Sequence, residues 1–90
     1  MNFEWDEQKA RSNLAKHGVS FKEAQTVFDD PLYIDFYDPD HSETENRYIV
    51  IGVSSVGRIL LVSYAEREGS IRIISARQGT RQEIKVYQEG

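Results

Sequence analysis

The chain contains no cysteine and only two prolines among its 90 residues. The missing thiols exclude disulfide bonds, cysteine zinc ligands and cysteine nucleophiles, and they fit a reducing cytoplasm. No apolar run approaches the roughly 20 residues that span a bilayer. The N-terminal stretch MNFEWDEQKA also lacks the basic start and apolar run of a secretory signal. We therefore expect a cytoplasmic protein with no membrane association.

Repeats, linkers and low-complexity tracts are also missing, so the length predicts one domain over residues 1–90. The chain has no glycine-rich phosphate loop, and no serine lies in a nucleophile-elbow context. These absences argue against P-loop nucleotide chemistry and serine hydrolysis.

Charge is unevenly distributed along the chain, although the net charge is only −4. Residues 1–46 hold eleven acidic and four basic side chains, whereas residues 47–90 hold four acidic and seven basic ones. All of the second group's cations except Lys85 are arginine. This asymmetry is a hint of an anionic partner. The alternative is that both surfaces only keep the protein in solution.

Two helices are predicted near the N-terminus. Asp6 can cap a helix that ends at Gly18, because glycine adopts the left-handed conformation without steric cost. Ser20 and Glu23 have the spacing of a capping box, which predicts a second helix. Pro31 ends that helix, since the residue before a proline is pushed out of helical geometry.

The remaining sequence predicts an antiparallel meander, because short turns separate its successive strands. The strands are expected at 32–38, 47–54, 58–67 and 70–77, with NFEW (residues 2–5) as a short edge strand. A capping-box pattern at Thr80 and Glu83 predicts a last helix over 81–88 that packs Ile84 and Tyr87 on the sheet. The fold class is therefore α+β, with two N-terminal helices packed on a small antiparallel β-sheet and a short C-terminal helix.

Arginines are concentrated in and beside the predicted strands. With regular alternation in strand 70–77, Arg77 shares a face with Ile71 and Ile73, and Arg72 lies on the other face. Two neighbouring cations are costly unless an anion balances them. That anion is either internal, with Glu45, Glu66, Glu83 and the acidic loop as candidates, or a bound phosphate. The set to be explained is Arg47, Arg67, Arg72, Arg77 and Arg81.

Histidine and tyrosine are the other candidates for chemistry. His17, beside Lys16 at a helix end, is either a general acid or base or a C-terminal helix cap. His41 lies in the acidic loop PDHSETE, which is more typical of a solvated loop than of a metal site. Tyr64 can stack on a base or form part of the core edge.

Four segments together resemble the BrnT family of bacterial toxins. They are FEWDEQKARSNLAKHGVSFKEAQTVFDDP, the E-x-R of Glu45 to Arg47, YAER at 64–67 and IRIISAR at 71–77. The resemblance runs from Phe3 to about Tyr87. It implies a RelE-like toxin of a type II toxin–antitoxin module that cuts RNA to inhibit translation and growth.

The resemblance also implies partners and site residues. The partner is a BrnA-like ribbon-helix-helix antitoxin, through which the complex reaches operator DNA, as a homodimer or a heterotetramer with the antitoxin. The enzyme is a metal-independent endoribonuclease without a cofactor. Its catalytic residues are Lys16, His17, Arg67 and Arg77, and its RNA contacts are Arg47, Arg72, Arg81 and Tyr64.

One departure from the family pattern lies at the C-terminus. Relatives continue after SAR with a basic, helix-forming run, whereas this chain reads QGTRQEIKVYQEG, with only Arg81 and Lys85 as cations. Fewer cations weaken RNA association. A second hypothesis is therefore a catalytically weak or inactive module that binds the antitoxin and tunes repression of the operon. A third is an unrelated oligomerising α+β domain.

Overall fold

The computed structural model describes all residues from Met1 to Gly90. Five strands and three helices follow one another along the chain. They are β1 (Asn2–Glu4), α1 (Glu7–His17), α2 (Phe21–Gln25), β2 (Ile34–Tyr37), β3 (Arg47–Val53), β4 (Ile59–Arg67), β5 (Ser70–Gln78) and α3 (Arg81–Glu89). None of these helices combines the length and the hydropathy that a membrane crossing requires.

The strands form a single sheet in the order β1-β5-β4-β3-β2. Strands β2 to β5 are an antiparallel meander, as predicted, but β1 pairs parallel to β5. The prediction of a purely antiparallel sheet is therefore wrong, and the sheet is mixed. The cause is topological, because β1 pairs with the last strand of the meander rather than with a sequence neighbour.

The N-terminal helices are only partly as predicted. Asp6 caps α1 by accepting from the backbone N–H groups of Gln8 and Lys9, and α1 ends at Gly18, whose φ is 69°. Ser20 caps α2, but α2 has only five residues and gives way to a 3₁₀ helix, Thr26–Asp29. The prediction of two N-terminal helices is therefore only partly correct. Of the two, only α1 is longer than two turns.

The main core lies between these helices and one face of the sheet. Phe21, Leu60 and Ile73 are among its fully buried side chains. Phe3 and Trp5 pack against its border. This cluster leaves the opposite face of the sheet, here called the open face, to be covered by other elements.

Helix α3 covers part of the open face. Thr80 and Glu83 form the predicted capping box. Ile51 points away from the main core yet is almost fully buried, and α3 packs against its strand, β3. The Tyr87 hydroxyl donates to Asp30 Oδ2 at 2.6 Å, which ties the end of α3 to the start of the meander.

A β-bulge in β5 changes which side chains share a face. Ser75 pairs with Ser63 and Ile73 with Tyr64, so Ile74 is an extra residue on β5. Because one extra residue reverses the alternation, Arg72 and Arg77 both lie on the open face. The prediction that they occupy opposite faces is wrong for this reason.

Asn13 joins α1 to the edge of β5 that β1 leaves free. Its Nδ2 donates to the carbonyls of Ala76 (2.7 Å) and Val19 (2.9 Å), and its Oδ1 accepts from the N–H of Ala76 at 3.1 Å. The residue is only 7% exposed. Its amide therefore satisfies backbone groups that no neighbouring strand reaches.

We expect Asn13→Ala to lower the free energy of unfolding by about 1–3 kcal/mol, because it leaves buried backbone groups without partners. Urea unfolding followed by circular dichroism measures this change. The exposed neighbour Ser12 provides the control, since Ser12→Ala is expected to stay within about 0.5 kcal/mol of the wild type. Equal stability of the two variants would contradict the proposed role of Asn13.

Candidate functional site

A groove of about 360 Å³ lies on the open face of the sheet. Ile49, Leu61, Ser63 and Ser75 line it, and its polar border combines both signs of charge. The charged or titratable residues that line it are Asp38, His41, Arg47, Arg77 and Glu83. The groove is thus bounded by the 38–46 loop and by the first turn of α3.

Glu45 joins two arginines at the loop end of this face. Ala65 pairs with Arg47 on one side and with Arg72 on the other, so these arginines flank one residue of β4. Arg47 Nε lies 3.2 Å from Glu45 Oε2, and Arg72 Nη2 donates to both carboxylate oxygens of Glu45. The hydrogen bond from Arg72 is the main reason why the pKa of Glu45 lies below its usual range.

Arg77 is held by α3 through a two-bond ion pair. Its Nη1 and Nη2 donate to Glu83 Oε1 and Oε2 at 2.8 and 2.9 Å. These hydrogen bonds, against the opposing effect of burial, lower the pKa of Glu83 to about 2, and the N–H of Thr80 contributes as well. The same pair raises the pKa of Arg77. Glu83 thus caps α3 and neutralises Arg77 with one carboxylate.

Lys16 and His17 lie in a second depression of about 210 Å³, together with Lys9, Ser12 and Asn13. Ile74 and Ser75 line both this depression and the groove. The bulge in β5 is therefore the shared wall, and Asn13 holds α1 against it. The structure thus brings Lys16 and His17 to the same part of the sheet as Arg77.

Two of the predicted arginines lie apart from that point. Arg67 is exposed on the open face, six residues beyond Leu61, which pairs with Arg77. At about 3.4 Å per residue this separation is roughly 20 Å. Arg81 is exposed in the first turn of α3 and does not line the groove.

Tyr64 is not available for base stacking. Its ring is on the core face, 3% exposed, and stacks on Tyr48 with 5.4 Å between the ring centroids. Its hydroxyl donates to Asp35 Oδ2 at 2.7 Å. Burial and this hydrogen bond raise the pKa of Tyr64. The expected RNA contact from Tyr64 is therefore corrected to a core position, because the side chain faces away from the groove.

Arg58 holds the turn after α1 in place, and the sequence did not predict this role. It donates to both oxygens of Glu23, at 2.9 and 2.5 Å, and to the Gly18 carbonyl at 3.1 Å. These bonds fix the turn that directly follows Lys16 and His17. The sequence offers one weak signal for this role, which is that Arg58 directly follows Gly57 in a turn. Many surface arginines have such a position, so the signal does not identify the contact.

The acidic loop forms no metal cluster. His41 Nδ1 lies within hydrogen-bond distance of Asp38 Oδ2, at 2.9 Å. No group of three or more His, Asp or Glu side chains is arranged to hold a metal ion. The loop instead supplies Asp38 and His41 to the groove.

A comparison with protein families shows to which family the chain belongs. Residues 5–83 match the model of the ribonuclease toxin BrnT of type II toxin–antitoxin systems. The chain belongs to the BrnT family. The crystal structure of the Brucella abortus ribonuclease toxin BrnT has the same fold, with a TM-score of 0.66 and 24% identity over 90% of this chain and 99% of that one. No curated protein sequence matches the chain.

Membership of the BrnT family removes one hypothesis, that of an unrelated oligomerising domain. A type II toxin–antitoxin family implies an antitoxin partner. The family is one of ribonuclease toxins, which makes RNA the substrate to consider for the groove.

The Arg77–Glu83 pair predicts a pH-dependent stability. The pKa of Glu83 is about 2 in the folded protein, below its ordinary value of 4.5. The pair therefore stabilises the fold fully above about pH 4.5, and this contribution is lost as the pH falls toward 2. Glu83→Gln retains a capping-box residue but loses the charge. We expect it to cost on the order of 1 kcal/mol at pH 7, after allowance for solvent screening, and less at pH 3.

Urea unfolding of both proteins at pH 7 and pH 3 measures this difference. Glu89→Gln, on the exposed end of α3, is the matched control and should not change the pH profile. A cost of Glu83→Gln that is equal at the two pH values would contradict the ion-pair interpretation.

Proposed function

We propose that this BrnT protein is a metal-independent endoribonuclease that cleaves RNA to inhibit translation and growth. The observation that carries the proposal is the shared wall of Ile74 and Ser75, which joins the Lys16–His17 depression to the groove of Arg77. RNA cleavage by its own 2′-hydroxyl needs proton-transfer groups and cations around one phosphate. Groups of these two kinds lie on the two sides of that wall, which supports the proposal.

The reaction assigns a task to each side. Lys16 and His17 are the proton-transfer groups: one accepts the proton of the 2′-hydroxyl as the O2′–P bond forms. As the P–O5′ bond breaks, the other group delivers a proton to the leaving 5′-oxygen. Arg77 faces the negative charge that develops on the phosphoryl oxygens, where a fixed cation stabilises the transition state more than the substrate.

The other arginines are proposed to bind the flanking RNA rather than the cleaved bond. Arg47 and Arg72 share Glu45, and both pair with Ala65 of β4. Ala65 lies between Leu61, which pairs with Arg77, and Arg67. Arg67 continues this line on the exposed end of the strand, and Arg81 is exposed in the first turn of α3. We therefore assign Arg67 to RNA binding rather than to catalysis.

The proposal also covers the partner and the location. A BrnA-like ribbon-helix-helix antitoxin neutralises the toxin in a heterotetramer, and the complex contacts operator DNA through the antitoxin. The whole chain, residues 1–90, acts as a single toxin domain in the cytoplasm, where its RNA substrate is found.

A second candidate function is a catalytically weak module that mainly binds the antitoxin. The pairing of Arg47, Arg72 and Arg77 with carboxylates favours it, because each bound phosphate must compete with Glu45 or Glu83. The two functions differ in one observable, which is RNA cleavage by the isolated toxin.

We expect Arg77→Ala to lower the rate of RNA cleavage by about 10²–10³-fold, the usual effect of removing one transition-state donor. Glu83→Gln breaks the same ion pair but keeps the arginine, so it should retain cleavage. Arg11→Ala removes an exposed cation on α1 away from the groove and serves as the charge control. Cleavage of a labelled RNA in EDTA, with growth after induction, provides the measurements.

Each outcome separates the hypotheses. Loss of cleavage in folded Arg77→Ala, with activity in the other two variants, supports the ribonuclease. Equal activity of Arg77→Ala and Glu83→Gln would make Arg77 structural. A folded wild-type toxin that binds antitoxin but cleaves no RNA would establish the second function instead.

A further inference from the structure

Strand β2 leaves one edge of the sheet without a partner strand. It is the outermost strand and lies between Pro31 and Pro39. The N–H of Asp38 donates to the Arg47 carbonyl at 2.9 Å. Since backbone groups alternate in direction along an antiparallel strand, the N–H and C=O groups of Asp35 and Tyr37 point away from the sheet.

This edge also exposes large apolar side chains. Leu32 is 71% exposed, Tyr37 54% and Phe36 42%. Proteins usually protect such an edge with lysine, a bulge or a covering loop, because free strand edges pair with other chains. β2 is only four residues long and lies between two prolines, which limits pairing, but it has no lysine and no bulge. An apolar edge that is only partly protected in this way indicates a binding surface.

Charge selects the type of partner. Residues 29–45, which contain the edge and the loop after it, hold seven carboxylates and neither lysine nor arginine. Glu45 is paired with Arg47 and Arg72, but Asp35 and Asp38 lie in the edge itself. A second copy paired along the same edge would bring its own Asp35 and Asp38 close to them, and like charges across a strand pair are destabilising. A positively charged segment is favoured for the opposite reason.

We propose that the β2 edge, defined as residues 32–38, binds an extended, positively charged segment of the antitoxin as a sixth strand. Main-chain hydrogen bonds to Asp35 and Tyr37 supply affinity, and alternate apolar side chains of the segment pack on Phe36 and Tyr37. The inference rests on the proposed function in one respect only, which is that the partner is the antitoxin that neutralises a ribonuclease.

The position of the edge explains how binding would neutralise the toxin. Phe36 pairs with Ile49, which lines the groove, and Asp38 lies in both the edge and the groove border. A segment on β2 therefore lies next to the border of the groove at Asp38. In the proposal, the antitoxin blocks RNA by covering this border, without contacting Lys16 or His17.

The test compares two lysine substitutions. Leu32→Lys with Tyr37→Lys places two cations on the edge, and Val56→Lys places one on the β3–β4 turn, where Val56 is 68% exposed. The probe is the cognate antitoxin, purified from the co-expressed complex. We expect the edge variant to raise the Kd for the antitoxin at least tenfold and the turn variant to leave it unchanged.

A second pair of measurements does not depend on the apolar residues. Asp40→Lys with Glu43→Lys reverses exposed charges and should weaken antitoxin binding most at low salt. In the wild-type complex, hydrogen exchange at the amides of Asp35 and Tyr37 should slow by more than tenfold. Both results are expected if the segment adds as a strand.

The outcomes separate this inference from the proposed function. If the edge variant is folded and binds antitoxin as tightly as Val56→Lys, the inference is wrong, whatever the toxin does to RNA. If the isolated toxin is a dimer that the edge variant dissociates, the edge binds a second copy and the inference is also wrong. If antitoxin binding is lost but the wild type cleaves no RNA, the proposed function fails and the inference stands.

Discussion

The fit between α1 and the free edge of β5 is the constraint on which the site depends. Strand β1 is only three residues long and covers only the first part of that edge. The side chain of Asn13 completes it by pairing with the backbone of Ala76, one residue before Arg77. A helix thus takes the place of a strand, and the last turn of α1 reaches the wall of the groove. Arg58 fixes the following turn from the other side.

Ion pairing determines how the open face can meet an anion. The groove's arginines are held in fixed orientations by Glu45 and Glu83, so little conformational entropy is lost when a phosphate binds. The same carboxylates compete with that phosphate, so RNA binding exchanges one anion for another. These arginines should therefore stabilise the concentrated negative charge of the transition state more than the diffuse charge of a bound RNA strand.

Local sequence signals predicted the elements well. The caps at Asp6, Ser20 and Thr80 and the stop at Gly18 are short-range hydrogen-bond patterns that operate within four residues, and all are present. The second helix was overestimated because Ser20 marks where a helix begins but not how long it continues. The parallel pairing of β1 could not be predicted, since its partner is some 70 residues away and no local pattern selects it.

The candidate site was predictable in its residue types more than in its geometry. Glu45 and Glu83 were among the carboxylates expected to balance the arginines, and both do so. Tyr64 was misplaced because a tyrosine in an alternating strand has the same pattern on either face. The side of the sheet that Arg77 faces depends on the bulge, and a run such as IRIISAR contains no glycine or other signal for one.

The bulge determines which side chains of β5 face the core. Ile71 and Ile73 before it and Ala76 after it all face the core, which a regular strand of this sequence cannot achieve. Loss of one residue between Ile73 and Ala76 would therefore leave a regular strand in which Ala76 still faces the core and Arg77 still faces the groove. Loss of a residue elsewhere in β5 would instead turn every side chain beyond it to the other face. Descendants of this gene should accordingly lose a residue at the bulge more readily than at any other point of the strand.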